Sequence, residues 1–416
     1  ANILSAEGDN LKYAHQLLQE YFAAKIMLEA MEADDKAGSH ARAMELFGKD
    51  WWDAGVWRET TVILGEFLGE GAVGPNRVTR WLAPVTPEVA LEVITRNAGG
   101  LSVADVEAET QTALVNGAQA KAEYNFSSHT WRELNPDPRG RASAWRVLGK
   151  LREDNRPGVL DFNWDQDYWC LVPKGEYVYQ GKLDKIDYDF WIARYPITYA
   201  QFQLFIDAPD GYRNPDWWQG LHEEGIEQQQ KGAREQHFKF WNHPRENVSW
   251  YEARAFCRWV DALTLTRPAS GVYPLPTSAL GKGVKYHIRL PLETEWEKAA
   301  SWDAKAKKAR VYPWGDTFDP TKANMWEGER IGQTTTVGIY PQGASPCGAL
   351  DMSGNVWEWC LNEYEIGQAT IDSDETRVLR GGSWRINLID DFRCDSRNRN
   401  YPANWDYDGG VRLVIS

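Results

Sequence analysis

Residues 377–416 read RVLRGGSWRINLIDDFRCDSRNRNYPANWDYDGGVRLVIS. The ends of this stretch are apolar and glycine-rich: Val378, Leu379, Gly381, Gly382 and Trp384 in front, Gly409, Gly410, Val411, Leu413, Val414 and Ile415 behind. Short apolar runs bounded by glycine predict buried strands. Between them the chain follows neither a helical nor a strand period, and it is crowded with Asn, Asp, Arg, Tyr and Trp. A run that polar cannot fill a core. Pinned between two buried strands, residues 385–408 are expected at the surface as a display.

The displayed residues divide by what they can do there. Phe392, Tyr401, Trp405 and Tyr407 offer large rigid area at low conformational cost, the logic of antibody paratopes. Ser396, Asn398, Asn400 and Asn404 supply adaptable donors and acceptors. Asp390, Asp391, Asp406 and Asp408 make the patch acidic, which favours a basic partner surface. Ile386, Leu388 and Ile389 form an apolar triplet that a monomer leaves exposed only where something binds. Arg385 and Asp395 complete the expected ligand-facing set. The plainer alternative is a solvated loop that closes the fold.

Outward from this stretch, the bulk numbers bound the answer. A chain of 416 residues suggests two or three domains, and 43% hydrophobic with 25% charged residues is ordinary for a globular protein. Its 22 Trp and 18 Tyr are unusual, and they serve cores and contact surfaces equally well. A net charge of −14 opposes binding to phosphate backbones, so nucleic acid is not an expected partner. Arg393, Arg397 and Arg399 stand beside Asp390, Asp391 and Asp395 and make no basic patch. Five widely spaced cysteines without a CxxC motif predict reduced, mostly buried thiols. With no apolar run long enough to span a bilayer and no secretory h-region, the expected place is the cytoplasm, without membrane insertion.

Toward the N-terminus the texture is helical. Leu11 to about Ala33 carries apolar residues at helical spacing. Similar patterns follow at Trp51–Leu68, Pro87–Asn97, Val103–Ala122 and Arg141–Leu151, separated by the turn-rich connectors 69–76, 97–100 and 135–140. Ser102 or Asp105 is the expected cap of the fourth helix. Residues 1–160 therefore read as an all-α scaffold. Near Arg156-Pro157-Gly158 short apolar runs replace the helical period, which sets a domain boundary at 160/161. Beyond it two strands are expected around Pro173-Lys174-Gly175 and another at Ile186–Tyr195. Thr198 and Ser249 are positioned to cap two helices. Strands and helices in this mixture give an α+β domain. Glu293, Glu295 and Glu297 fit the first turns of a further helix, where the macrodipole favours carboxylates.

Seven motifs occur in order in this second half: ARYPITYAQFQLF (193–205), ENVSWYEARAFCRWV (246–260), IRLPLETEWEKAA (288–300), YPWGD (312–316), ANMWEG (323–328), ALDMSGNVWEW (349–359) and RVLRGGSW (377–384). Together they resemble the formylglycine-generating-enzyme, or sulfatase-modifying factor, family over about 166–416. The resemblance implies a C-type-lectin-like fold: two helices flanking a small twisted sheet, with much loop. It does not carry the family's catalysis with it. Those enzymes use two cysteines shortly after the GGS turn, where this chain has WRINLIDDF, and its nearest thiol is Cys394. A related branch binds iron through three histidines, and the seven here show no close pair at ligand spacing, His237 and His243 being six apart. The expectation is no enzyme, no catalytic residue and no required cofactor. A metal-dependent oxidase with a divergent site is the alternative. The resemblance also implies Ca²⁺ held around GNVWEW by Asp351, Gly354, Val356 and Glu358, oxygen donors suited to a hard cation. Glu358 in a buried hydrogen-bond network with a neighbouring Arg is the other reading of the same residue.

Two narrower resemblances complete the picture. RGGSW…RCDSRNRNYPANWDYDGGVRLV resembles the variable region of proteins diversified by retroelements. There, an AAC-rich template is copied with errors at adenine. Asn387, Asn398, Asn400 and Asn404 match unaltered AAC codons, and the Asp, Tyr, Ile and Ser residues match its adenine-altered products. Arg397, Arg399 and Pro402 match framework in that family. Trp405 requires a template codon that starts as AGG and is altered at its adenine, and Val411, where the family more often has Phe, departs from it. The implied function is a ligand-binding protein with a hypervariable site at 385–408 and a macromolecular, protein partner. HQLLQEYFAA (15–24), WRETTVILGEFLGE (57–70) and NPDPRGRASAWRVLGKL (135–151) resemble the helical region after the core of NACHT-type ATPases. No GxxxxGK[ST] loop is present, so ATPase activity is not implied.

Overall fold

Asp154 and Arg156 stand where one compact unit gives way to the next. A computed structural model of the chain describes residues 4–7, 10–13, 16–53, 55, 57–68, 72–96, 106–164, 167–266, 286–326 and 331–416. It divides into Ala1–Glu153 and Asp154–Ser416. The division falls a little before 160/161 because Asp154 and Arg156 are buried within the second unit. Their side chains pair at 2.7 Å, Arg156 donates to the Val337 carbonyl at 2.8 Å, and Asn242 donates to Asp154 at 3.0 Å.

The first unit is helical, with two short hairpins. Strands β1 (Leu4–Glu7) and β2 (Asn10–Tyr13) pair antiparallel, in a register that sets Leu4 against Tyr13 and Ala6 against Leu11. The first helix, α1 (Gln16–Ala37), therefore starts later than its periodicity suggests. Next come α2 (Ala41–Phe47), α3 (Trp57–Phe67), α4 (Val73–Leu82), α5 (Pro87–Thr95) and α6 (Ala108–Lys121). The unit ends with hairpin β3 (Tyr124–Asn125) and β4 (Thr130–Trp131), then α7 (Pro138–Leu151). Helix α4 begins inside a stretch expected to be a connector. Pro75 sits in its first turn, where a missing N–H is harmless. Gly74 lets α4 approach α3, since a Cβ there would lie 2.3 Å from the Gly65 carbonyl oxygen. Asp137 caps α7, accepting the Arg139 N–H at 2.9 Å. Ser102 and Asp105 lie outside the described residues.

The second unit is α+β. It opens with β5 (Trp169–Val172), β6 (Gly175–Tyr179), β7 (Lys182–Ile186) and β8 (Phe190–Ala193); the single strand expected at Ile186–Tyr195 is broken at 187–189. Helices α8 (Tyr199–Asp207), α9 (Glu223–Lys231) and α10 (Trp250–Thr266) follow. After these come β9 (Ile288–Arg289), α11 (Glu293–Ser301), and the pair β10 (Trp302–Asp303) and β11 (Lys308–Ala309). The last strands are β12 (Trp357–Glu363), β13 (Arg377–Arg380), β14 (Asn398–Asn400), β15 (Gly409–Gly410) and β16 (Val414–Ile415). Two four-stranded sheets result, ordered β5-β8-β16-β9 and β14-β13-β12-β15. Strand β16 lies between β8 and β9, antiparallel to both, and so fastens the end of the chain to the start of the unit.

Both expected caps form as reciprocal boxes. Thr198 Oγ1 accepts the Gln201 N–H at 3.2 Å, and Gln201 Oε1 accepts the Thr198 N–H at 3.0 Å. Ser249 and Glu252 repeat the exchange at 3.1 and 2.8 Å. Many tryptophans prove to be core: Trp164, Trp218, Trp250, Trp296 and Trp359 are fully buried.

Candidate functional site

The display hangs from β13 through two glycines in left-handed backbone, Gly381 (φ +97°) and Gly382 (φ +75°), a region that favours residues without Cβ. A Cβ on Gly382 would come within 2.8 Å of the Phe392 ring. That ring is fully buried against Tyr312, Ala323 and Met325. Phe392 is thus a plug that folds 383–391 back onto the scaffold, not a ligand-facing aromatic. Asp408 is also withdrawn. Its carboxylate accepts the Ser383 hydroxyl at 2.7 Å, its backbone carbonyl accepts the Trp357 N–H at 2.7 Å, and burial pushes its carboxyl up.

Ion pairs fix the middle of the run, those on Glu293 and Glu297 to buried carboxylates and that of Arg399 at the surface. Arg380 donates to Glu293 at 3.1 Å, to Glu297 at 2.6 Å, and to the Cys394 carbonyl. Arg397 grips the same Glu293 at 2.6 and 2.9 Å, and Arg399 pairs with Glu365. Strand β14 then adds Asn398–Asn400 to β13 as a sheet edge. Two carboxylates of α11, Glu293 and Glu297, are therefore the sockets for Arg380, and Glu293 receives Arg397 of the run as well.

The other expected ligand residues face outward. Arg385, Leu388, Ile389, Asp390, Asp395, Asn398, Tyr401, Asn404, Asp406 and Tyr407 are exposed, Leu388 by 63% and Tyr401 by 61%; Ile386, Asp391, Ser396, Asn400 and Trp405 are half-buried. They form two neighbourhoods. Residues 386–391 lie beside Trp326, whose N–H donates to the Ile386 carbonyl at 3.3 Å. Residues 400–407 lie against the 234–238 loop and the first turn of α10. The Arg234 guanidinium sits 4.2 Å from the Trp405 ring centre, His237 lies 5.5 Å from Tyr407, and Phe238 lies 5.4 Å from Trp384. Trp405 Nε1 donates to Glu252 at 2.8 Å, and Asn400 donates to Asp406 at 2.8 Å. Arg385 joins the neighbourhoods, its guanidinium 4.3 Å above Tyr407. Arg234, His237 and Glu252 escape sequence reasoning because more than a hundred residues separate them from the display. Only Glu252 carried a local signal, through its cap.

The acidity of the run is narrower than its composition. Asp395 is paired with Arg393 at 2.9 and 3.0 Å and Asp408 is buried, while among the described residues the Asp406 carboxylate accepts only from the neutral Asn400 amide and keeps its charge. Asp390, Asp391 and Asp406 remain, and burial together with the Asp390 charge raises the Asp391 carboxyl.

Below the 234–238 loop lies Glu246, fully buried, with one oxygen on the Phe238 N–H and the other without a partner among the described residues. Burial pushes its carboxyl up to about 7, although backbone donors and Arg245 oppose the shift. The folded chain thus keeps a proton that the unfolded chain releases near pH ~4.3. Stability from this group is full below that pH and is lost as pH rises through about 7. In urea denaturation, Glu246→Gln is expected to gain roughly 2–4 kcal/mol relative to the parent between pH 4 and pH 8. A constant difference between the two across that range would refute the assignment.

Of the residues implied for calcium, Glu358 is committed to an ion pair. Glu358 and Arg412, both fully buried, meet at 2.7 Å, and Arg412 Nε donates to both Glu358 oxygens at 3.0 and 2.8 Å. Trp296 Nε1 adds a third donor at 2.7 Å. A cation on this carboxylate would have to displace the guanidinium, so the Glu358 side chain does not fit the role. Asp351 accepts the Gly338 N–H, and burial raises its carboxyl to about 6. Gly354 (φ +80°) brings the backbone against Asn324, where a Cβ would lie 2.4 Å from the carbonyl oxygen, and Val356 is core. Cys394 is buried, with its Sγ directed at the Ala300 carbonyl, and burial pushes its thiol up. His237 lies tilted against the Tyr407 ring, while His243 is buried and meets Thr334 Oγ1 at 2.9 Å. Among the described residues no three His, Cys, Asp or Glu side chains group so as to hold a metal ion. No described helix is long and apolar enough to cross a membrane.

Comparison with known proteins gives the family of the second unit. The family profile described as "Sulfatase-modifying factor enzyme 1-like domain" matches residues 165–416. Hercynine oxygenase of Mycobacterium tuberculosis is 32% identical over 254 residues, covering 54% of this chain and 52% of that protein. "Inactive C-alpha-formylglycine-generating enzyme 2" of Bos taurus is 34% identical over 149 residues, covering 34% of this chain and 38% of that one. Among solved structures, "Treponema denticola variable protein 1" aligns with a TM-score of 0.40 at 21% identity, over 59% of this chain and 94% of that one. The chain spans about half the length of the hercynine oxygenases it matches. Its relatives thus include both enzymes and a protein named inactive.

Proposed function

Since the chain belongs, through residues 165–416, to the sulfatase-modifying factor enzyme 1-like family, we propose that it uses the family's C-type-lectin-like scaffold for recognition and not for catalysis. Residues 385–407 are a ligand site diversified by a retroelement, and the ligand is a protein met in the cytoplasm. One observation carries this reading. The middle of the run is locked by the Phe392 plug and the Arg380–Glu293–Arg397 network and its far end by Asp408, while most side chains between them face outward. Such a division allows the outward residues to be replaced without touching the core. The helical unit, with its NACHT-like motifs, belongs to the same proposal as the link to a signalling partner.

Independent isolates of the gene are expected to differ at Arg385, Leu388, Asn398, Tyr401, Asn404 and Tyr407 while keeping Arg380, Arg397 and Arg412. A reverse transcriptase and a near-identical adenine-rich template are expected nearby. Replacing Tyr401 and Tyr407 together by alanine is expected to change stability by no more than about 1 kcal/mol, as for exposed positions generally. Trp405 is left out of that variant because its indole holds Glu252. Stoichiometric uptake of Fe(II) or Cu(I) with oxygen consumption on a Cys-containing peptide would overturn the reading in favour of an oxidase.

A further inference from the structure

Resting on the reading of 385–408 as a binding face, we infer that its Trp405–Tyr407 end is a carboxylate-binding subsite, built jointly by Arg385 and the Arg234 loop, and that the partner presents an acidic segment there. This reverses the polarity that the aspartates of the run suggest. Both arginines are exposed, and each lies over an aromatic ring, Arg234 over Trp405 and Arg385 over Tyr407. Stacking fixes the plane of a guanidinium while leaving its edge N–H groups free. A carboxylate is met best by such a fork. Among the described residues no side-chain hydrogen bond or ion pair holds Arg234. Arg385 has only a long 3.9 Å approach to Asp408.

The carboxylates that could have neutralised this pair are committed elsewhere. Glu252 accepts from Trp405 and Ser249 on one oxygen and from Tyr212 on the other. Glu235 pairs with Lys239 at 2.8 Å, and Asp406, still charged, is turned to the Asn400 amide and forms no ion pair with either arginine among the described residues. The loop that carries Arg234 is itself held in place. Arg245 donates to the Arg234 carbonyl, Asn247 donates to the Glu235 carbonyl at 3.0 Å, and Gln236 donates to the Pro244 carbonyl at 3.0 Å. His237 of the same loop meets Tyr407, so loop and run form one surface. Arg234 lies outside the replaceable stretch. It would supply a fixed cation beside a varying one, biasing every version of the site toward acidic partners. The uncommitted acids Asp390 and Asp391 lie in the other neighbourhood, beside Ile389 and Leu388.

The test pans a phage-displayed random peptide library on the immobilised full chain. Enriched peptides are expected to carry Asp or Glu next to an aromatic or aliphatic residue. Arg234→Ala and Arg385→Ala should each weaken their capture at least tenfold, and Arg234→Lys should recover only part of it, because the planar fork is lost. Tyr401→Ala serves as the control for the face as a whole. Enriched peptides that are basic, or that bind Arg234→Ala and Arg385→Ala undiminished while losing to Tyr401→Ala, overturn the carboxylate subsite and leave the binding face standing. Equal competition by inorganic phosphate and by free glutamate overturns it too, reducing the pair to a nonselective anion site. Failure of any peptide to depend on residues 385–408 overturns both readings.

Discussion

Replacing Arg412 by alanine is expected to lower the unfolding free energy of the C-terminal unit by about 3–5 kcal/mol, the range for removing one partner of a buried ion pair. Arg412 is fully enclosed and satisfies three acceptors at once: Glu358, the Ala193 carbonyl at 2.8 Å and the Leu350 carbonyl at 2.7 Å. Alanine would leave the Glu358 carboxylate inside the protein with only the Trp296 indole to answer it. The two carbonyls would lose their donor as well. In a unit of this size such a loss lowers the melting temperature by roughly 10 °C. The penalty comes mostly from the stranded charge, not from the attraction that is lost. Arg412→Met combined with Glu358→Gln should therefore recover most of the stability, since a neutral amide can still accept the indole N–H. Urea denaturation of the single and double variants separates the contributions. If the double variant is no better than Arg412→Ala, the stranded-charge account is wrong.

Arg412 also shows where sequence reasoning reached and where it stopped. Local chemistry was legible. Ser249 and Glu252 stand at capping distance in the sequence, and the glycines of RGGSW announce a backbone that only they adopt easily. The α+β character and the exposure of much, though not all, of 385–408 follow from such patterns. Partners far apart in the chain left no periodic trace. The distance from Glu358 to Arg412 is 54 residues, so the same carboxylate could be read as a cation ligand or as half of a pair. Phe392 looked like contact area because an aromatic residue in a polar run has that value until a pocket is found for it. Helix α4 was hidden by its own Gly74 and Pro75. Gly74 is required because α3 lies so close, and that reason lies outside the segment. The aspartates misled in the same way. Their charges were countable, but their assignments to Arg393, Asn400 and Ser383 were not.

Arg380→Ala is expected to act on both stability and display. Its cost should be about 2–4 kcal/mol, less than for Arg412, because both carboxylates it leaves retain other donors. Glu297 still accepts from the Gln180 amide and backbone N–H at 2.7 Å each, and Glu293 from Arg397 at 2.6 Å. What only Arg380 does is donate to the Cys394 carbonyl at the point where the run turns back from the Phe392 plug toward β14. Loss of that bond should loosen the segment before the edge strand while leaving the plug seated. Hydrogen exchange at residues 394–400 is expected to quicken, with 377–379 protected by β12 on their other side. Arg380→Lys should keep most of the stability through its charge but still quicken exchange, since an ammonium cannot span Glu293, Glu297 and a carbonyl as a planar fork does. If exchange at 394–400 is unchanged in Arg380→Ala, β13–β14 pairing alone holds the display. Its exposed face would then be independent of the α11 carboxylates.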